Sequence, residues 1–417
     1  MGLNIDRRLT VCTAAFSLLF SFTQASPAED WPKIIENLKR GTASSQSKQQ
    51  LAVAHNNYAI ELSNQGDWSQ AETELERAVA IDAGNKQFKQ NLSVIYLNHA
   101  ASLRQDRRAS DRGTDVKSKT LVQQALRFNP QSADAYAVLG DIAYDSQQLA
   151  HAKTAWDRAK QLAPSMHSID ERLDKLNAEQ SVEKQFDRAG NAHFDLRYQD
   201  GIGYSAAYDL RNVLDQARSN VGRDFGYWPR HPIVVLVYSE EAFQQVRQGP
   251  DWIGGLYDGK IRIPFPRSPA AQESLKSTLV HEYTHAIIHD ITADKCPVWL
   301  NEGIAEFEEA RSRKPNLQLL QAAVSKGQLI PLSSLDSAFQ SRDANVAALA
   351  YQQSYSLVAY LDHKYRFFRV RSILDKLAAG KSIDDALQAE LRLSPSQLEK
   401  SWQRWLPTFV KGDFASR

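Results

Sequence analysis

The sequence predicts an α+β protein in two parts, an all-α N-terminal half made of repeats and a C-terminal half in which a mixed sheet is followed by helices. Three observations carry that prediction. Small and apolar residues recur with a 34-residue period ahead of residue 165. Short alternating stretches then interleave with helix-period stretches between residues 187 and 315. From 316 to 410 helical periodicity continues without further strands. A chain of 417 residues, 42% apolar and 24% charged, has room for two or three folded domains. Its net charge of +1 argues against nucleic acid as the main partner, and no phosphate-binding glycine fingerprint appears.

The first residues bear on compartment. Arg7-Arg8 precede an apolar stretch, Leu9 to Phe22, that is too short to span a bilayer comfortably, and Thr23-Gln24-Ala25 sets small residues where a signal peptidase reads. Residues 1–25 are therefore expected to be a signal peptide, with export to the periplasm or beyond and no membrane span after cleavage. The alternative is an uncleaved anchor. Cleavage leaves Cys296 as the single cysteine, so no intrachain disulfide can form, and Cys296 is expected to be a packed thiol.

The repeats come next. Residues 136–164 present Tyr136, Leu139, Gly140 and Ala143, then Ala152, Trp156, Ala159 and Pro164. Tyr58, Ala59, Leu62, Ala71, Leu75 and Ala78 form an earlier copy; Leu92, Ser93 and Tyr96 open another that Ala125 and Pro130 close. The steps Ala59 to Ser93, Ala125 to Ala159 and Pro130 to Pro164 are each 34 residues, and the pattern resembles the tetratricopeptide repeat. That resemblance implies stacked helix pairs whose groove binds a peptide or protein segment. The Lys and Asn pairs of the family's carboxylate-clamp sites are absent. Ala78 to Ala125 is 47 residues, so about 13 extra residues are expected as an exposed loop within Ser102–Lys119. Its Arg104, Arg107, Arg108 and Arg112 read as solvated, with an acidic partner as the alternative. A capping helix over 165–185 completes an expected repeat domain of residues 30–186.

In the expected core domain, 187–315, the strands are His193–Tyr198, Ile233–Tyr238 and Lys260–Pro264, and the helices lie near 205–221 and 273–289. Residues 275–289, LKSTLVHEYTHAIIH, lack Gly and Pro and read as a mostly buried helix. Within it His281 and His285 stand at i and i+4, one above the other on a face, so their rings can converge on one metal ion. Satisfied core histidines are the bland alternative. A turn over Thr292–Pro297 lets a second helix, Val298–Ala310, run back beside the first and present Glu302 as a third ligand. A catalytic zinc typically takes three protein ligands and keeps a position for water, and Glu282, next to His281, is the carboxylate that can deprotonate it. Glu306, one turn beyond Glu302, can accept the free N–H of a ligating His, or be a solvated carboxylate. His289 lies about 12 Å along the axis from His281, too far to share the ion.

HEYTH with LNEGIAE resembles the gluzincin clan of zinc peptidases, whose third ligand is the Glu of an N-E-x-x-x-[DE] stretch on a following helix. PVWLNEGIAE is similar to a bacterial family of peptidase-MA-like domains. The resemblance implies a zincin-like fold and one Zn2+ held by His281, His285 and Glu302, with Glu282 as general base and Glu306 in support. It further implies that the strand before the helix, with Lys260, Ile261, Arg262 and Ile263, pairs as a sheet edge with the substrate backbone. An ordinary guarded edge is the alternative there. A tyrosine after the third ligand is implied as oxyanion donor; Tyr351 and Tyr355 share a helix face, and Tyr355 is preferred of the two, although either can be a core tyrosine. Residues 316–417 are expected to be the helical end of this domain. The expectation is an exported zinc metallopeptidase whose repeats hold substrate or a partner protein. The alternatives are an envelope scaffold with a non-catalytic metal domain, and a zinc amidase acting on cell-wall peptides.

Overall fold

The computed structural model describes residues 30–40, 44–106, 112–146, 148–183, 186–246 and 255–412. The expected signal peptide, Arg107 and Arg108 lie outside the described residues. Two compact units divide the chain, one reaching Asn177 and the other beginning at Ala178. Among the described residues no helix is long and apolar enough to cross a membrane.

The first unit is helical: α1 (Trp31–Arg40), α2 (Ser45–Asn64), α3 (Trp68–Ile81), α4 (Lys86–Asp106), α5 (Arg112–Phe128), α6 (Ala133–Asp145), α7 (Leu149–Leu162) and α8 (His167–Glu183). Short connections make hairpins of α2 with α3, α4 with α5 and α6 with α7. Ser44, Asp67 and Ser132 cap the starts of α2, α3 and α6 by accepting a backbone N–H. Ala59, Leu62, Ala71, Leu75, Ala78, Leu92 and Ala125 are buried together. At the α6–α7 crossing a Cβ on Gly140 would stand 2.3 Å from the Trp156 ring. The indole in turn donates to Asp141 at 3.0 Å.

Where a loop was expected within 102–119, the described residues are helical: 102–106 continue α4 and 112–119 begin α5, while 107–111 lie outside the described residues. Mean polarity suggested an excursion, but Leu103 is packed against the core and Ser118 is buried, and that burial pulls the flanking polar residues into helix. Arg104 pairs with Asp145 at 2.8 Å.

The second unit has a five-stranded sheet of β1 (Asp187–Arg188), β2 (Phe194–Tyr198), β3 (Ile233–Ser239), β4 (Leu256–Tyr257) and β5 (Ile261–Phe265), in the order β1-β2-β3-β5-β4. The inner pairs are parallel and the outer pairs antiparallel. Register sets Val235 opposite Ile261, Leu236 opposite Arg262 and Val237 opposite Ile263. Side chains alternate between faces. Phe194, Leu196, Val235, Val237, Ile261 and Ile263 join the main core with α9 (Tyr204–Phe225) and α11 (Pro269–Thr292), whereas Leu236 and Tyr238 pack with Phe243 of α10 (Glu240–Val246) on the other face.

This parity corrects the expected substrate edge. β5 lies inside the sheet, and β4 covers Ile261 and Arg262 on its outer side. Lys260, Ile261, Arg262 and Ile263 are exposed by only 3%, 0%, 1% and 0%. Arg262 is tied to Glu179 at 2.8 Å, Glu183 at 3.1 Å and Asp258 at 3.2 Å, and Lys260 stands 3.5 Å from Glu179. Two buried cations need such partners to be tolerated at all.

α11 begins with Pro269 behind the N-cap Ser268 and ends where Ala293 and Asp294 turn left-handed at φ 48 and 62. The turn reverses the chain into α12 (Val298–Glu309), whose first free N–H, at Trp299, is taken by Asp336 at 2.7 Å. α13 (Gln318–Lys326), a 3₁₀ turn at Leu332–Ser334, α14 (Leu335–Ala338), α15 (Ala344–Tyr365), α16 (Phe367–Ala378), α17 (Ile383–Leu391) and α18 (Pro395–Val410) complete the unit. α12 crosses α15 closely, because a Cβ on Gly303 would fall 2.5 Å from the Ser354 carbonyl oxygen.

Candidate metal centre

α11 and α12 bring three side chains to one point. The Nε2 atoms of His281 and His285 each lie 3.4 Å from Glu302 Oε2. The two rings stand 4.7 Å apart and edge-on at 78°, neighbours on one face as i, i+4 spacing places them. The other ring nitrogens are held: His281 Nδ1 lies 3.1 Å from Glu309 Oε2, and His285 Nδ1 lies 3.0 Å from Asn301 Oδ1. Acceptors at Nδ1 set the tautomer that donates there, which leaves both Nε2 lone pairs facing Glu302. The donor set of two imidazoles and one carboxylate, within 4.8 Å of one another, suits a single zinc ion.

Electrostatics agree with that geometry. Burial alone would raise the Glu302 carboxyl, but the two imidazoles hold it well below the ordinary range. Burial would lower His281, yet Glu302 and Glu309 keep it well above the usual histidine value. The His285 ring is likewise raised by Glu302 against the effect of burial. Glu282, 5% exposed on the same helix, is raised by burial. Its carboxyl fits only because residue 255 is glycine: a Cβ there would meet Glu282 Oε1 at 2.6 Å.

The expected support from Glu306 is corrected to Glu309. As α12 runs back along α11, Asn301 arrives beside His285 and Glu309 beside His281, where Ser277 also donates to it at 2.9 Å. Glu306 and Glu309 both share the face of Glu302, at i+4 and i+7, and both have a carboxylate oxygen within 4.8 Å of a His281 ring nitrogen, but Glu309 is the one within hydrogen-bond reach. Asn301 and Glu309 escaped the sequence reading; for Glu309 the signal was its i+7 spacing from Glu302. Gly255 had no such signal, since only the folded chain brings it to Glu282.

Glu306 instead lines a cavity of about 470 Å³ together with Tyr351 and Tyr355 of α15. Burial raises both hydroxyls; the charges of Glu302, Glu306 and Glu282 add to the effect on Tyr351, and only that of Glu306 on Tyr355. Tyr351 packs edge-on against Phe339 and Tyr355 against Phe409. His289 turns away to Asp294 at 2.6 Å. Cys296 is a half-buried thiol, pushed well up by burial and outside the ligand group.

Residues 214–408 match the family model of the Peptidase MA superfamily. That span contains α11, α12 and α15, and so every member of the cluster and both tyrosines. The peptidase MA match supports a metallopeptidase-type domain in the second unit. No curated protein matches the chain.

Proposed function

We propose that this protein is an exported zinc-dependent peptidase. The observation that carries the proposal is the convergence of His281, His285 and Glu302 with both Nδ1 atoms anchored and Glu282 beside them. Zinc bound by these three residues would acidify water and polarise a scissile carbonyl. Glu282 takes the proton of the attacking water and passes it to the leaving amine; its burial, which raises the carboxyl, suits a group that must both accept and return a proton. A tyrosine of α15, Tyr355 or Tyr351, donates a hydrogen bond to the oxygen on which charge develops. The helix pairs of the first unit, which keep the 34-residue spacing of tetratricopeptide repeats, would hold a segment of the substrate or of a partner protein.

The intact Glu282 favours catalysis over a purely scaffolding role, since a structural zinc takes a fourth protein ligand and has no use for a base. Replacing Glu282 by Gln should leave zinc content unchanged and lower peptide hydrolysis by about 10²–10⁴-fold. His285→Ala should lose the metal itself. Undiminished hydrolysis by Glu282→Gln would overturn the mechanism.

A further inference from the structure

Beside the metal centre lies an acid without a partner of its own. Glu306 reaches the 470 Å³ cavity, and among the described residues no hydrogen bond or ion pair holds its carboxylate. The neighbouring acids are spoken for: Glu302 by both imidazoles, Glu309 by His281 and Ser277. Burial raises the Glu306 carboxyl, and the imidazoles that oppose this act from a distance. Leu317, Ala347, Tyr351 and Tyr355 give the cavity apolar and aromatic walls, and Glu309, Asn316 and Gln352 also line it. Arg313 and Lys314 also border the cavity, but both are exposed, and Arg313 leans on Glu309 at 3.9 Å. The negative end is thus inside and the positive groups are outside.

We propose that this cavity is a specificity pocket for a lysine or arginine side chain of the peptide substrate, its methylene stem against the tyrosines and its cationic end on Glu306. The proposal rests on the peptidase reading of the adjacent centre and names the substrate class. A long cationic side chain is the form of residue that buries an apolar stem while delivering a charge to its tip. A pocket of this size, with more apolar than polar lining and two acids, Glu306 and Glu309, at its wall, has the usual character of a ligand site for a cationic side chain. The charge-assisted hydrogen bond that Glu306 lacks is the interaction such a side chain supplies.

The test separates binding from turnover. Full-length zinc-loaded protein carrying Glu282→Gln is titrated by calorimetry with acetylated, amidated oligoalanines in which one position in turn is Lys, Arg, norleucine or Glu. At one position Lys and Arg should bind at least about tenfold more tightly than norleucine. Adding Glu306→Gln should bring that ratio to within about twofold, and Glu306→Lys should turn the preference toward the Glu peptide. Thermal unfolding of each variant checks that it folds. Equal binding of Lys and norleucine peptides at every position, or a Lys preference that survives Glu306→Gln, overturns the proposal. A cation preference seen only with unacetylated peptides overturns it too, by assigning the pocket to the substrate's N-terminal ammonium. If the peptides bind as expected but protein with Glu282 intact fails to cleave them, the peptidase reading fails while the pocket stands.

Discussion

Replacing Gly303 by alanine tests the link between helix packing and the metal centre. The added Cβ would meet Ser354 O at 2.5 Å, Ser354 C at 2.8 Å and Val358 Cγ2 at 2.9 Å, where ordinary contact begins near 3.4 Å. Two of these atoms are backbone within α15, where Ser354 is fully buried, so α12 must move by about 0.9 Å. Forcing a methyl into such a crossing costs about 1–3 kcal/mol, and the better helix propensity of alanine returns about 1 kcal/mol. The net loss of up to roughly 2 kcal/mol corresponds to a fall of up to about 8 °C in the unfolding midpoint of a domain this size. Glu302 is the neighbouring residue and moves with α12, while His281 and His285 stay on α11. A displacement near 1 Å at a reacting centre lowers kcat/KM by about 100-fold. Scanning calorimetry, zinc competition against a chromophoric chelator and peptide hydrolysis measure the three effects. A variant that melts higher than the parent by about 1 kcal/mol, with zinc affinity unchanged, would show propensity acting alone and refute the close crossing.

Two further outcomes follow from the same geometry. Glu309→Ala and Asn301→Ala should each weaken zinc binding by about 10–100-fold, because each frees one ring that the other ligands do not hold, and chelator competition would detect the change. Glu308 supplies a pH dependence: burial pushes its carboxyl up from 4.5 to about 8, with Asp224 and Asp362 adding to the rise and Arg311 opposing it. The folded chain therefore keeps a proton that the unfolded chain releases, and this group's contribution falls as pH rises from 4.5 to about 8, then levels. Glu308→Gln should remove that slope, so its unfolding midpoint should exceed the parent's by a margin that widens through the window, by up to about 1.4 kcal/mol per pH unit. A margin constant across those pH values would contradict the burial argument.

Much of the architecture was legible because it is local. The strand at Ile233–Ser239 and the helical run after residue 316, with no further strand among the described residues, follow from periodicity, which short-range sequence carries directly. The loop expected at 102–119 failed for the opposite reason: its polar composition was local, while the burial of Leu103 and Ser118 that draws its described residues into helix comes from packing. Lys260 and Arg262 read as exposed guards of an edge because charge is usually solvated. Their burial depends on Glu179 and Glu183, about 80 residues earlier, arriving on the same face of the sheet.

The sequence by itself determined the chemistry that can be assembled: two histidines one helical turn apart, a carboxylate between them, and a glutamate one turn into the next helix. Spacing along a helix sets the angle at which each side chain leaves it, and that angle is a local property. The tertiary structure alone decided which neighbours those side chains meet. The crossing of α11, α12 and α15, closed at Gly303, sets Glu309 instead of Glu306 in hydrogen-bond reach of His281, and leaves Glu306, Tyr351 and Tyr355 lining one cavity. Register between packed helices is a long-range property, fixed by side chains far apart in the chain, and no window of the sequence contains it.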